Sequence, residues 1–250
     1  MDYLCLQDTR QTKREGLAIA NTIRSLLPPG TLIFQAPISK QRPTDPSPIG
    51  GQMILISHRW SHHANHWYQD PTHRGLLTGI TLSNKHSQIR LLSSYWPVPH
   101  AANQHSLSLH AHVVQFLQQH NPLKDSPDLD QHHPLSYIQD LIMRETHKHQ
   151  RKPNHQTLLL GDLNSSWIDS DKGGTHPALQ RWANRTGWQN PGRALADQHP
   201  GARICTNWAS IIPVSWIDHI LLYQSPSMLS LLGSHLARAP TTTSDKHRLY

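Results

Sequence analysis

Cysteine is almost absent. Cys5 and Cys205 are the only two in 250 residues, which excludes a disulfide framework and a cysteine-built zinc knuckle. One bridge between them is conceivable, but both lie in strand-like runs and read as small core residues. Long apolar runs are missing as well. No stretch nears the roughly 20 residues a membrane-spanning helix needs, and Asp2 and Asp8 stand where a secretory leader would place basic and then apolar residues. The expectation is a soluble, intracellular chain. Charge is scarce too, at 16% of residues. Counted with glycine and without tyrosine, the apolar set is about 39%, against about 45–50% in an average domain. A net charge of +7 over this length is too small for charge-driven disorder. The missing share has gone to His, Gln, Ser, Thr and Pro. Lys and Arg number 23 against 16 acids, and 21 histidines add positive charge below neutral pH. Such a balance favours polyanionic partners without naming one.

The apolar pattern sets the organisation. Tyr3-Leu4-Cys5-Leu6-Gln7 reads as a short buried strand. Ile19, Ile23, Leu26 and Leu27 then fall at i, i+4, i+7 and i+8, one inward helix face that Pro28-Pro29-Gly30 stops. Strands follow over 31–36 and 52–57, and two more, over 75–82 and 88–96, flank the turn Ser83-Asn84-Lys85-His86-Ser87. Leu109, Val113, Phe116 and Leu117 predict a second helix, and Leu135, Ile138 and Ile142 a third. Between them 121–134 reads as a loop. A strand over 157–160 precedes a fourth helix that turns Leu179 and Trp182 inward, with Pro177 near its start and Gly187 past its end. Candidate strands at 202–208 and 216–223 come last. Hairpin clusters alternate with helices, and neither a βαβ series nor a repeat is present. The expectation is a single α/β domain over residues 1–250, two mostly antiparallel sheets packed face to face and flanked by helices.

Several acids sit where acids are expensive. Leu158-Leu159-Leu160-Gly161-Asp162-Leu163-Asn164 delivers an acid and an amide from an apolar strand, a pair suited to activating a water and donating to a phosphate oxygen. Taken alone it also fits an Asx turn. Asp8 ends the first strand, and Asp218 lies inside Ser215-Trp216-Ile217-Asp218-His219-Ile220-Leu221-Leu222. An acid within an apolar strand is costly unless paired or bound to a metal. Ser244-Asp245-Lys246-His247 closes the set.

Six fragments in order resemble the endonuclease/exonuclease/phosphatase family, with non-LTR retrotransposon endonuclease domains the nearest branch. Leu6-Gln7-Asp8 is similar to the family's "LQE", Gly50-Gly51-Gln52-Met53-Ile54-Leu55-Ile56 to its glycine-led hairpin, and Ser93-Ser94-Tyr95-Trp96-Pro97 to its "N-x-Y-x-P". Gly161-Asp162-Leu163-Asn164 is similar to "GDFN", Trp216-Ile217-Asp218-His219-Ile220-Leu221 to "RIDYIL", and Ser244-Asp245-Lys246-His247 to "SDH". Thr206-Asn207-Trp208 resembles a Thr-Trp feature of the retrotransposon branch. The resemblance implies a deoxyribonuclease-like sandwich and in-line phosphodiester hydrolysis with Mg²⁺, Mn²⁺ substituting. It implies that Asp162 activates the water, Asn164 steadies water and phosphate, and Tyr95 reaches the phosphate or leaving oxygen. His247 would contact the scissile phosphate with Asp218 orienting it, and Asp8 and Asp245 would serve the metal. Hard oxygen ligands suit Mg²⁺. DNA is the implied partner, with RNA an alternative, no membrane partner, and a nuclear location for a retrotransposon product.

Four departures point to weak or absent cleavage. The family's opening "N-x-N-G" strand has no counterpart, so the domain is expected to lack its first strand. Asp8 is one methylene shorter than the family Glu. Lys246 separates Asp245 from His247, which in a strand turns one of them to the wrong face unless a bulge intervenes. Trp216 stands where the family commonly has Arg. A catalytically inactive nucleic-acid-binding remnant and a phosphomonoesterase of the same family are the rival readings. His58, His62, His63 and His66 invite a metal site, with His62 and His66 at helical spacing and no carboxylate nearer than Asp70, but chance clustering in a His-rich chain accounts for them. The basic run at 147–152 reads as a solvated helix end.

Overall fold

A computed structural model describes residues 3–7, 9, 11–37, 50–99, 108–120, 122–123, 130, 133–148, 154–168, 176–177, 179–191, 207–209, 212–215 and 218–224. The elements in chain order are β1 (Tyr3–Gln7), α1 (Lys13–Leu26), β2 (Leu32–Ala36), β3 (Gln52–Ile56), α2 (His58–Ser61), β4 (Ala64–Gln69), β5 (Leu77–Ser83) and β6 (Ser87–Ser94). There follow α3 (Leu109–His120), α4 (Pro134–Lys148), β7 (Asn154–Asp162), α5 (Leu179–Thr186), β8 (Asn207–Ala209), β9 (Ile212–Ser215) and β10 (Asp218–Gln224).

The strands form a three-stranded sheet in the order β1-β3-β2, a five-stranded sheet in the order β10-β7-β6-β5-β4, and the ribbon β8-β9. Pairing is antiparallel except between β6 and β7. Alternation along the strands splits the apolar residues between two cores. Ile54, Ile56, Ile80, Leu82 and Leu91 fill the space between the sheets, with Cys5, Phe34 and Leu158 packed against them. On the other face of the five-stranded sheet, Leu92, Leu159 and Leu221 meet Val113, Ile138 and Trp182 of the helices. The β5–β6 turn is closed by Asn84, whose Oδ1 accepts from the amides of His86 and Ser87 at 2.8 Å each.

α1 corrects the expected packing. A capping box starts it: the Glu15 amide donates to Thr12 Oγ1 at 3.5 Å and the Thr12 amide to Glu15 Oε2 at 2.9 Å. Its buried residues are Gly16 and Ala20, whereas Ile19 is 39% and Leu26 78% exposed. Gln35 of β2 donates through Nε2 to the Gly16 carbonyl, so the helix lies on β2 through its small residues. That close approach rotates the apolar row away from the sheet. A second correction concerns the histidines. His62 and His66 share no helix, because α2 ends at Ser61 and Ala64–Gln69 is a strand with a register shift between Asn65 and Tyr68.

Candidate active site

One edge of the five-stranded sheet collects the motif residues. β6 and β7 run parallel with Ser93 opposite Leu160, so both leave the sheet on the same side, and antiparallel β10 enters there with Asp218 opposite Asp162. β1 of the facing sheet ends above them, where Gln7 Nε2 donates to Ser93 Oγ at 2.8 Å. Thr9 is fixed at the same edge, its amide donating to the Gly51 carbonyl at 3.1 Å. Tyr95, Asp162 and Asn164 and the backbone of Asp218 are therefore brought together. The side chain of Asp218, and the whole of Asp8, Asp245 and His247, lie outside the described residues.

Local sequence explains the geometry. Gly161 is still within β7, and its glycine is required by a close approach: a Cβ there would lie 1.8 Å from the Ser94 carbonyl oxygen. The chain then turns at Asn164, which adopts a left-handed φ of 46°, a conformation Asn tolerates better than most residues. The Asn164 amide donates to Asp162 Oδ1 at 3.1 Å, the expected Asx turn, and Asn164 Nδ2 donates to the Trp96 carbonyl at 2.8 Å. The Trp96 amide in turn donates to the Asp162 carbonyl at 3.1 Å. Asp162 is half-buried and Asn164 is 7% exposed. Tyr95 is half-buried, packs against the helix-side core, and donates its amide to the Leu76 carbonyl at 3.0 Å.

Two histidines without an expected role complete the surroundings. His176 is 8% exposed, its Nε2 lies 3.0 Å from the Pro97 carbonyl, and its amide donates to the Asn164 carbonyl at 3.3 Å. Burial pushes its imidazole down to about 4, the Pro97 hydrogen bond opposing and His133 and His110 adding to the fall. His219, 2% exposed, places Nε2 2.7 Å from the Ser165 carbonyl and Nδ1 3.4 Å from Asn190 Nδ2. The signal for His219 was its neighbour: next to Asp218 in a strand, it must face the helices if Asp218 faces the other sheet. For His176, beyond a stretch outside the described residues, the sequence offered no signal. Asp70 proves to be a loop cap. Fully buried, it accepts from the Thr72 amide and hydroxyl and from the amides of Leu76 and Leu77. Burial pushes its carboxyl up, opposed by these hydrogen bonds. Cys5 is a free thiol, pushed up to about 11 by burial against a hydrogen bond with Ser93, so it is no nucleophile at neutral pH.

Among the described residues no group of three or more His, Cys, Asp or Glu is placed to hold a metal ion. The donors that are described are of the right kind, a carboxylate and an amide, hard oxygen ligands rather than sulfur or imidazole. On that count the described part of this edge fits a hard divalent cation.

No protein-family model and no curated protein matches the sequence. Solved structures do. An AP endonuclease, LMAP, from Leishmania major superposes with a TM-score of 0.55 at 16% identity, over 89% of this chain and 69% of that one. The 3'-5' exonuclease NExo from Neisseria meningitidis gives 0.54 at 16%, over 89% and 76%. A Neisseria NExo described as a 3' phosphatase bound to a product DNA hairpin gives 0.53 at 17%, over 91% and 77%. These likenesses establish the fold, the two-sheet deoxyribonuclease-like architecture shared by AP endonucleases and related exonucleases. Among the described residues no helix is long and apolar enough to cross a membrane.

Proposed function

We propose that this chain is a phosphodiesterase of the nuclease type that acts on DNA and uses Mg²⁺, with Mn²⁺ able to substitute, the 1–250 chain serving as one domain of mobile-element origin. The observation that carries the reading is the strand register: Asp162 and Asp218, separated by 56 positions, are direct partners across β7 and β10, with Tyr95 and Asn164 at the same edge. The sheet order needed for this also serves the phosphodiester chemistry that the six motifs imply.

In this reading Asp162 takes the proton of the attacking water and Asn164 holds that water and a phosphate oxygen through its amide. Tyr95 donates its phenol toward the phosphate or the leaving oxygen. His247, oriented by Asp218, binds the scissile phosphate, and Asp8 and Asp245 are the metal-side acids. When bound, the cation polarises the phosphoryl oxygens and offsets the charge that develops on the leaving oxygen. Asp162 is suited to its role because one oxygen, Oδ1, is held by the Asn164 amide, which fixes the direction of the other.

A catalytically inactive nucleic-acid-binding module is the second reading, favoured by Lys246 between Asp245 and His247 and by Asp8 in place of Glu. One assay separates the two. Supercoiled plasmid incubated with Mg²⁺ is expected to be nicked slowly, with nicking lost on chelation and in Asp162→Ala. Binding without cleavage points to the inactive module. Release of phosphate from a 3'-phosphorylated DNA end without nicking points to a phosphomonoesterase.

A further inference from the structure

Three segments carry the described site residues: the exit of β6 with Tyr95, the exit of β7 with Asp162 and Asn164, and the entry of β10 with Asp218. Their mutual position is not set by sheet pairing alone, because Tyr95 and Asn164 lie beyond the last ladder residues. Two buried imidazoles supply the missing cross-links. His176 Nε2 faces a carbonyl, which can only accept, so the nitrogen carries the proton and donates to Pro97. The His176 amide donates to Asn164, and Ser165 Oγ donates to the adjacent Pro177 carbonyl at 2.8 Å. With Trp96 bonded to both Asp162 and Asn164, this closes a ring through the β6 and β7 exits. His219 works on the opposite side. Asn190 Nδ2 donates to its Nδ1, which leaves the proton on Nε2 to be given to the Ser165 carbonyl. That bond ties the Asn164 loop to β10 at the residue beside Asp218.

We propose that His176 and His219 are a pair of positioning residues, whose Nε2–H donors pin the Asn164 loop to the Tyr95 segment on one side and to the Asp218 strand on the other. This rests on the nuclease reading only in naming what the pins serve. The left-handed Asn164 would be held through two successive carbonyls, its own taking the His176 amide and that of Ser165 the His219 imidazole. The apolar anchors of this loop, Leu163 and Trp167, sit in the helix-side core, and the two imidazoles add the polar ties to the neighbouring segments.

The test compares donor loss with donor retention. Phe in place of either histidine keeps a planar ring but removes the donor, whereas Gln keeps an N–H near the position of Nε2. Amide hydrogen exchange by NMR at Trp96 and Asn164, both donating to Asp162, is the readout, and needs no catalysis. The expected result is exchange at least tenfold faster in His176→Phe and His219→Phe and within about threefold of wild type in His176→Gln and His219→Gln. Where the chain nicks plasmid, kcat is expected to fall at least tenfold in the Phe variants with KM within about threefold, and to be restored in the Gln variants. Unchanged exchange in the Phe variants, or equal loosening in Gln and Phe, overturns the proposal. If a Phe variant does not fold, the Gln variant decides: wild-type exchange supports the pin and fast exchange overturns it. A wild-type chain that never cleaves sinks the nuclease reading, and the exchange result still decides the pins.

Discussion

His176 shows how burial converts a common surface residue into a pH-dependent one. Its imidazole titrates near 6.5 when unfolded and at about 4 when folded, burial being the largest cause. Between those values the unfolded chain binds the extra proton, so stability falls as pH drops through 6.5 towards 4 and is unaffected by this group above that window. The full shift corresponds to about 3 kcal/mol. Urea midpoints at pH 7.5 and pH 5 are expected to differ less in His176→Gln than in wild type; an unchanged difference would show that His176 titrates normally. Asp70 is a second case. Asn at this position keeps the shape but turns a donor towards the amides of Leu76 and Leu77 or the amide of Thr72, so Asp70→Asn is expected to cost about 3 kcal/mol by urea unfolding. Neither role was legible, since a residue's value here depends on carbonyls and amides supplied by distant or irregular backbone. The turn that carries Asp162 and Asn164 was legible because strand, glycine, acid and amide follow one another within seven residues.

Most elements could be read from periodicity, and the exceptions have physical reasons. β1 was expected over 3–7 and observed there, and α3 and α4 fall on their expected apolar rows. β4 was missed because its sequence, Ala-Asn-His-Trp-Tyr-Gln, lacks alternation and carries a bulge. In α1 the apolar row was real but the helix docks by Gly16 and Ala20, since contact with β2 is decided by backbone approach rather than by hydrophobicity. The join between β6 and α4 was invisible for another reason. Arg90 is fully buried in β6 and bonds Glu145 of α4 at 2.7 Å, and no local pattern links residues so far apart. Desolvation lowers the Arg90 pKa and its carboxylate partner raises it again. Glu145→Met strands a buried cation and is expected to cost about 3–5 kcal/mol, whereas adding Arg90→Met to it is expected to recover most of that loss. A double-mutant cycle on urea midpoints measures it, and an additive double variant would show that the pair is uncoupled.

At the scale of the whole molecule, the sandwich was legible from alternating hairpins and helices, but the feature that makes a site of it was not. Parallel β6 and β7, with β10 antiparallel beside them, bring residues 95, 162 and 218 to one edge, and strand order is a nonlocal property that one sequence does not display. The same separation of scales applies to charge. A net +7 with 21 histidines says nothing of where phosphates bind, yet it sets how binding responds to salt and pH. Each phosphate neutralised steepens the dependence of log affinity on log salt by about 0.9. Histidine is the side-chain type whose charge responds to pH near neutrality, and the chain has 21 of them. Duplex DNA is therefore expected to bind with a negative salt slope that becomes steeper by about one unit or more over that pH step, measured by fluorescence anisotropy with Mg²⁺ withheld so that no cleavage intervenes. Because Asp162 is itself an acid, the steepening must come from histidines and not from that residue, and Asp162→Ala should leave it unchanged. A slope indifferent to pH would mean that the histidines lie away from the path of the nucleic acid.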